Sequence, residues 1–91
     1  MRLSEQDITN AICLHVAERK QLHPTQVEVE LMWDEDLGFS AEVQAGGRSQ
    51  IFIAANILEA IERYLFKEHN MRVFRDQIRL NLEDEIVADI A

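Results

Sequence analysis

The chain has 91 residues, enough for one domain. Size scaling has folding reduce its surface from roughly 15,400 Å² to 5,500 Å², which supports one small core but not a core plus a deep, walled active site. Nine Lys/Arg against seventeen Asp/Glu give a formal charge of −8, a balance that repels phosphate backbones and anionic lipid, so neither nucleic acid nor membrane is expected as a partner.

Residues 4–22 read as a helix. Ser4 is placed as N-cap, with Asp7 three residues on as a capping-box variant and Leu3 set to staple onto Ile8. Ile8, Ala11, Ile12, His15, Arg19 and Leu22 share one stripe, with Val16 at its edge. His23 precedes the chain's one proline, Pro24, which disfavours helix beyond Leu22.

Residues 25–33 alternate: Val27, Val29, Leu31 and Trp33 point one way, Glu28, Glu30 and Met32 the other. Asp34 to Gly38 has turn chemistry. Residues 39–45 alternate again, through Phe39, Ala41, Val43 and Ala45. Joined by that turn, the two runs bring Trp33 opposite Phe39, Leu31 opposite Ala41 and Val29 opposite Val43, a hairpin with one buried face. Gly46-Gly47 marks a second hairpin into 48–53. A two-residue turn puts Phe52 on the core face beside Arg48 and Gln50, whereas a three-residue turn would put Ile51 and Ile53 there; the commoner two-residue turn is taken.

Asn56 is placed as the next N-cap, with Glu59 completing a capping box. Ile57, Leu58, Ile61, Tyr64 and Leu65 form the apolar stripe of a second helix ending near Asn70, and Phe66 sits off that stripe. Residues 76–82 alternate through Ile78, Leu80 and Leu82, and Glu83-Asp84-Glu85 turns the chain into a short apolar run, 86–90, that could add a sixth element. The order expected is α-β-β-β-α-β, an α+β fold with two helices packed on one face of a small antiparallel sheet, residues 1–91 being a single domain.

Several stretches resemble a known family. Ser4-Glu5-Gln6-Asp7-Ile8 and Asn10-Ala11-Ile12-Cys13, the hairpin Val27–Asp36 with Gly38-Phe39-Ser40-Ala41-Glu42-Val43, and Asn56–Ile61 together look like the YxcD-like family of short bacillar proteins. The resemblance extends over nearly the whole chain, and the hairpin is its most specific part. Because that family is one of unknown function, the resemblance implies no catalytic or binding residues. Gly46-Gly47 stands where an Asn-Gly turn would be expected, and pins the second hairpin's register less firmly.

Motifs that carry chemistry are scarce. Asp34, Glu35 and Asp36 are three carboxylates in a row, weak candidates for a hard cation; their spacing does not match an EF-hand, and turn chemistry alone accounts for them. His15 lies on the apolar stripe without an HxxxH or HExxH partner; His23 and His69 lie in a loop and at a helix end. A partly buried histidine bonded to a carbonyl or a carboxylate is therefore expected there, not a general base. Cys13, the one cysteine, permits no intramolecular disulfide and has no visible activating neighbour, so it reads as a packing residue in a reducing compartment. No signal peptide or membrane span is recognisable, and a cytoplasmic location is expected.

Charge is unevenly spread. Residues 28–42 hold six acids and no base, while residues 63–79 hold Arg63, Lys67, Arg72, Arg75 and Arg79 against Glu68 and Asp76. The hairpin register sets Glu30 opposite Glu42, a destabilising like-charge pair that Arg79 or an arginine near the end of the second helix could relieve, within the chain or from a second copy. The expectation is a non-enzymatic protein-interaction module without a cofactor, a homodimer or partner of another protein. Its interface candidates are Phe66, Arg72, Arg75 and Arg79, with Ile51 and Ile53 as further apolar contacts. The alternative is a metal-dependent or acid–base enzyme combining Asp34, Glu35 or Asp36 with His15. Anion or RNA binding through Arg72, Arg75 and Arg79 ranks last against the opposing net charge.

Overall fold

The computed structural model describes residues 1–91. Strand β1 (Arg2–Leu3) leads into helix α1 (Glu5–Lys20), and a single 3-10 turn, Pro24–Gln26, precedes the strands β2 (Val27–Asp34), β3 (Gly38–Ala45) and β4 (Arg48–Ile53). Helix α2 (Ala54–His69), a second 3-10 turn at Arg75–Gln77, and strands β5 (Ile78–Leu82) and β6 (Ile86–Ile90) complete the chain. All pairings are antiparallel, and the fold is α+β as the sequence pattern implies. The strands divide into two three-stranded sheets, β2-β3-β4 and β1-β6-β5, where the pattern suggested one.

Helix α1 starts where its capping signal lies. Ser4 Oγ accepts from the Asp7 N–H at 3.1 Å, and Asp7 Oδ2 accepts from the Ser4 N–H at 3.0 Å. It stops at Gln21, whose left-handed φ of 56° lets the Leu22 N–H reach the Ala17 carbonyl at 2.9 Å. Ile8, Ala11, Ile12, His15, Val16 and Ala17 are buried, but Arg19, placed on the same stripe, turns outward and is exposed. A long cationic side chain at the last turn gains both hydration and the negative helix end.

The first hairpin has the expected register, with Trp33 opposite Phe39, Leu31 opposite Ala41 and Val29 opposite Val43. The second uses the two-residue Gly46-Gly47 turn, both glycines having positive φ, which pairs Ala45 with Arg48 and Ala41 with Phe52. Phe52 is accordingly buried, while Ile51 and Ile53 face outward. Trp33 shares the parity of the inner face yet is 46% exposed, because it lies at the tip end of the hairpin.

Helix α2 begins three residues earlier than Asn56 suggested, with Ile53 as N-cap. Ala54 and Ala55 are good first-turn residues, and Asn56 acts from the third helical position, its Oδ1 accepting from the Ile53 N–H at 3.0 Å. Asn70 ends the helix in the left-handed region at φ 54°.

The run at 86–90 is a strand, β6, and sits at the centre of the second sheet between β5 and β1. Leu3, expected as a helix staple, pairs with Ala88 in that sheet and is 2% exposed. Helix α1 touches both sheets, through β2 and β6, and α2 covers β3 and β4. One cluster of 20 buried apolar residues therefore runs through both helices and both sheets. The outer faces of the sheets stay free to display charge.

Candidate interaction surfaces and clefts

The hairpin tip is organised as a turn. Asp34 Oδ1 accepts from the N–H groups of Asp36 (2.7 Å) and Leu37 (3.2 Å), an Asx-turn that uses one carboxylate to hold the backbone. No group of three or more His, Cys, Asp or Glu side chains is placed to hold a metal ion. His15 lines two clefts, and Asp34, Glu35 and Asp36 line neither. The acidic turn and the histidine are not brought into one site.

The outer face of the β2-β3-β4 sheet is acidic. Glu30 and Glu42 are register partners, with Glu28 two residues along the same face and Ile51 opposite Glu42 on the next strand. None of the chain's ion pairs involves Glu30 or Glu42. The cation expected to relieve this pair from within the chain is therefore not there. Ile51 and Ile53, 54% and 60% exposed, flank the carboxylates.

A surface of opposite character forms beyond the end of α2. Phe66 is 50% exposed, and the Arg72 guanidinium lies over its ring at 5.4 Å from the centroid, a cation–π contact. Phe74, 60% exposed, borders the same cleft of about 380 Å³, whose charged walls include Arg63 and Lys67 as well as Glu59 and Glu62. Arg75 neutralises Glu62 at 3.4 Å. Phe66, Arg72 and Arg75 thus gather at one corner, with cations in excess.

Arg79 does not join them. It projects from β5 opposite Asp89, in the other sheet. The Asp89 carboxylate is already held by Arg2 at 2.7 and 3.1 Å and by Asn81 at 2.6 Å, and the same Arg2 fork takes Glu83 at 2.7 and 3.0 Å. The Arg2 hydrogen bond, chiefly, keeps the Asp89 carboxyl below its usual range. Sequence reasoning passed over Phe74, which belongs to no periodic segment. The available signal was a large aromatic between Arg72 and Arg75 in a stretch without core spacing.

His15 is 7% exposed and bonded to neither a backbone carbonyl nor a carboxylate, against expectation. Its Nε2 lies 3.5 Å from an Arg19 guanidinium nitrogen, its ring meets Phe52 edge-on at 6.3 Å, and Nδ1 has no partner. Burial pushes its pKa down; Glu59 and Glu18 oppose that, and Arg19 and Arg63 reinforce it. Cys13 is half-buried, its Sγ 3.7 Å from the Val27 carbonyl oxygen, and burial raises the thiol pKa. A raised thiol pKa disfavours the thiolate, the form that attacks.

Residues 1–85 match the model of a family described as a protein of unknown function, DUF2653. The uncharacterized protein YxcD of Bacillus subtilis (strain 168) is 33% identical over 69 residues, spanning 75% of this chain and 68% of that protein. No solved structure matches. No helix is long and apolar enough to cross a membrane.

Proposed function

Since the chain belongs to the DUF2653 family of proteins of unknown function, its role has to be read from its own surface, and we propose that it is a non-enzymatic protein-interaction module that works as a homodimer. In this reading the acidic outer face of the β2-β3-β4 sheet meets the basic, aromatic corner of a second copy. A two-fold axis makes that contact twice.

One observation carries the reading: Glu30 and Glu42 stand side by side, flanked by exposed Ile51 and Ile53, with no cation of their own chain against them. Such a pair lowers stability unless opposite charge arrives from outside. The corner of Phe66, Arg72 and Phe74 has the complementary make-up, two exposed aromatics and a cation free of ion pairs. Matched charge with apolar anchors is the usual composition of a specific contact. The half-buried, unactivated Cys13 accords with a cytoplasmic setting.

Sedimentation velocity on the wild type and on Arg72→Glu tests this. The wild type is expected at twice the chain mass, with an association that weakens as salt rises. Arg72→Glu is expected at the chain mass with an unchanged far-UV spectrum. A monomeric wild type, or an Arg72→Glu dimer as tight as the wild type, overturns the proposal.

A further inference from the structure

We propose that the cleft between the last turns of α1 and strand β4 binds a small phosphorylated organic molecule, with its phosphate on Arg19 and Lys20 and its carbon framework against Phe52. Its wall touches the acidic face of the dimer reading only at Ile51, its cations belong to neither surface of that reading, and it does not depend on it.

The argument starts from where the unpaired cations are. Of nine Lys and Arg, four (Arg2, Arg63, Lys67 and Arg75) are in ion pairs. Of the remaining five, Arg19, Lys20 and Arg48 border one continuous depression. Its main part is a cleft of about 450 Å³, walled by His15, Arg19, Lys20, Gln50, Phe52 and Asn56 among others. Through Lys20 and Gln50 it continues into a hollow of about 190 Å³ that adds Arg48 and Ser49. No Asp or Glu lines either part, in a chain with seventeen of them. The main volume lies within the range usual for small-molecule sites.

Two further features shape the wall of the cleft. Helix α2 begins beside the cleft, Asn56 of its first turn forming part of the wall. Its N-cap Ile53 offers no side-chain acceptor to the N–H groups that follow, the capping oxygen present being Asn56 Oδ1 on the Ile53 N–H. His15, more than nine-tenths buried, stands in the wall, and its ring carries the one buried side-chain polar atom without a hydrogen-bond partner. With Nε2 facing the Arg19 guanidinium, the imidazole accepts there and its proton sits on Nδ1. That nitrogen is enclosed within the wall, so an occupant of the cleft meets the Arg19 guanidinium beside the ring and not this proton.

Donors converge from α1, β4 and α2, which suits a tetrahedral group with oxygens in several directions better than a planar carboxylate. Two fixed cations balance a phosphate monoester dianion. The net charge of −8 then selects by size: a long polyanion is repelled by the rest of the surface, and a small dianion that reaches the cleft is not.

The test is an amide and imidazole NMR titration of the full chain with inorganic phosphate and with phenyl phosphate, each against chloride at matched ionic strength. Both phosphates are expected to give saturating shifts at Arg19, Lys20, Gln50, Asn56 and the His15 ring, with phenyl phosphate the tighter. The double variant Arg19→Gln/Lys20→Gln is expected to weaken binding about tenfold or more, while Arg79→Gln leaves it unchanged and shows that the loss is local. Shifts that match chloride, fail to saturate, or appear equally at Arg72 and Arg79 overturn the site. Equal affinity for the two probes overturns the organic part of the ligand.

Discussion

Replacing Glu42 by glutamine removes one charge from the Glu30–Glu42 pair and leaves the side chain's length and its 3.4 Å contact with the Gln44 amide nearly intact. Directly opposed strand residues have Cα atoms about 5 Å apart, so the two carboxylates lie roughly 6 Å from each other on a solvated face. At that distance Coulomb repulsion in water is about 0.7 kcal/mol, and physiological salt screens it to about 0.3 kcal/mol. For a domain of this size each kcal/mol shifts Tm by about 4–8 °C. Glu42→Gln is therefore expected to raise the Tm of the dilute monomer by roughly 1–3 °C at physiological salt and roughly 3–6 °C at low ionic strength. The same change should weaken self-association, since the carboxylate removed is one that the second copy would meet. Thermal melts at several salt concentrations, in parallel with sedimentation, separate the two effects. An unchanged or lowered Tm at low salt would refute the reasoning, because it would mean that Glu42 is already favourably engaged within its own chain.

Three further outcomes follow from the geometry. Ser4→Ala removes half of the capping box and is expected to cost about 1 kcal/mol, seen as a Tm lower by roughly 4–8 °C; an unaltered Tm would show that the cap is idle. His15, whose pKa burial depresses from its ordinary value near 6.5, takes up its proton more readily when unfolded. Stability is then full above that value and falls as pH drops through it towards the folded pKa, so denaturant melts from about pH 7 to 5 should decline in the wild type and flatten in His15→Leu. Equal slopes would place the acid sensitivity elsewhere. Asp89, held low by Arg2, contributes stability above its ordinary pKa of 3.8 that is lost as pH falls further; Arg2→Gln should reduce that acid loss in melts below about pH 4.

What was legible in the sequence is what repeats with a short period. Alternation through Val27, Val29 and Leu31 and again through Ala41 and Val43 specifies the first hairpin to the residue, because a slip of one would turn every apolar side chain outward. The Gly46-Gly47 turn settled Phe52 inward and Ile51 and Ile53 outward for the same reason. Strand β1 was invisible because two residues carry no period, and its partner β6 lies more than eighty residues away. Without it the division into two sheets could not be read. Asn56 misled because its side chain serves an N–H from the third position of the helix as well as it would from the cap. The candidate surfaces were half legible. Phe66 and the arginines stood out by departing from the stripe and by charge, but which arginines gather, and that Arg79 faces the other sheet, depends on tertiary placement. The gathering of Arg19, Lys20 and Arg48 is likewise tertiary, since the first two leave a helix end and the third a strand.

The most direct test of the dimer is a charge exchange between its two surfaces. One variant carries Glu30→Lys and Glu42→Lys, the other Arg72→Glu and Arg75→Glu. Each alone sets like charge against like across a two-fold contact and is expected to be monomeric by native mass spectrometry. Mixed, they restore opposite charge at both contacts, and a one-to-one heterodimer is expected. Two variants that each dimerise as the wild type does, or that stay monomeric when mixed while retaining their fold, would contradict the account.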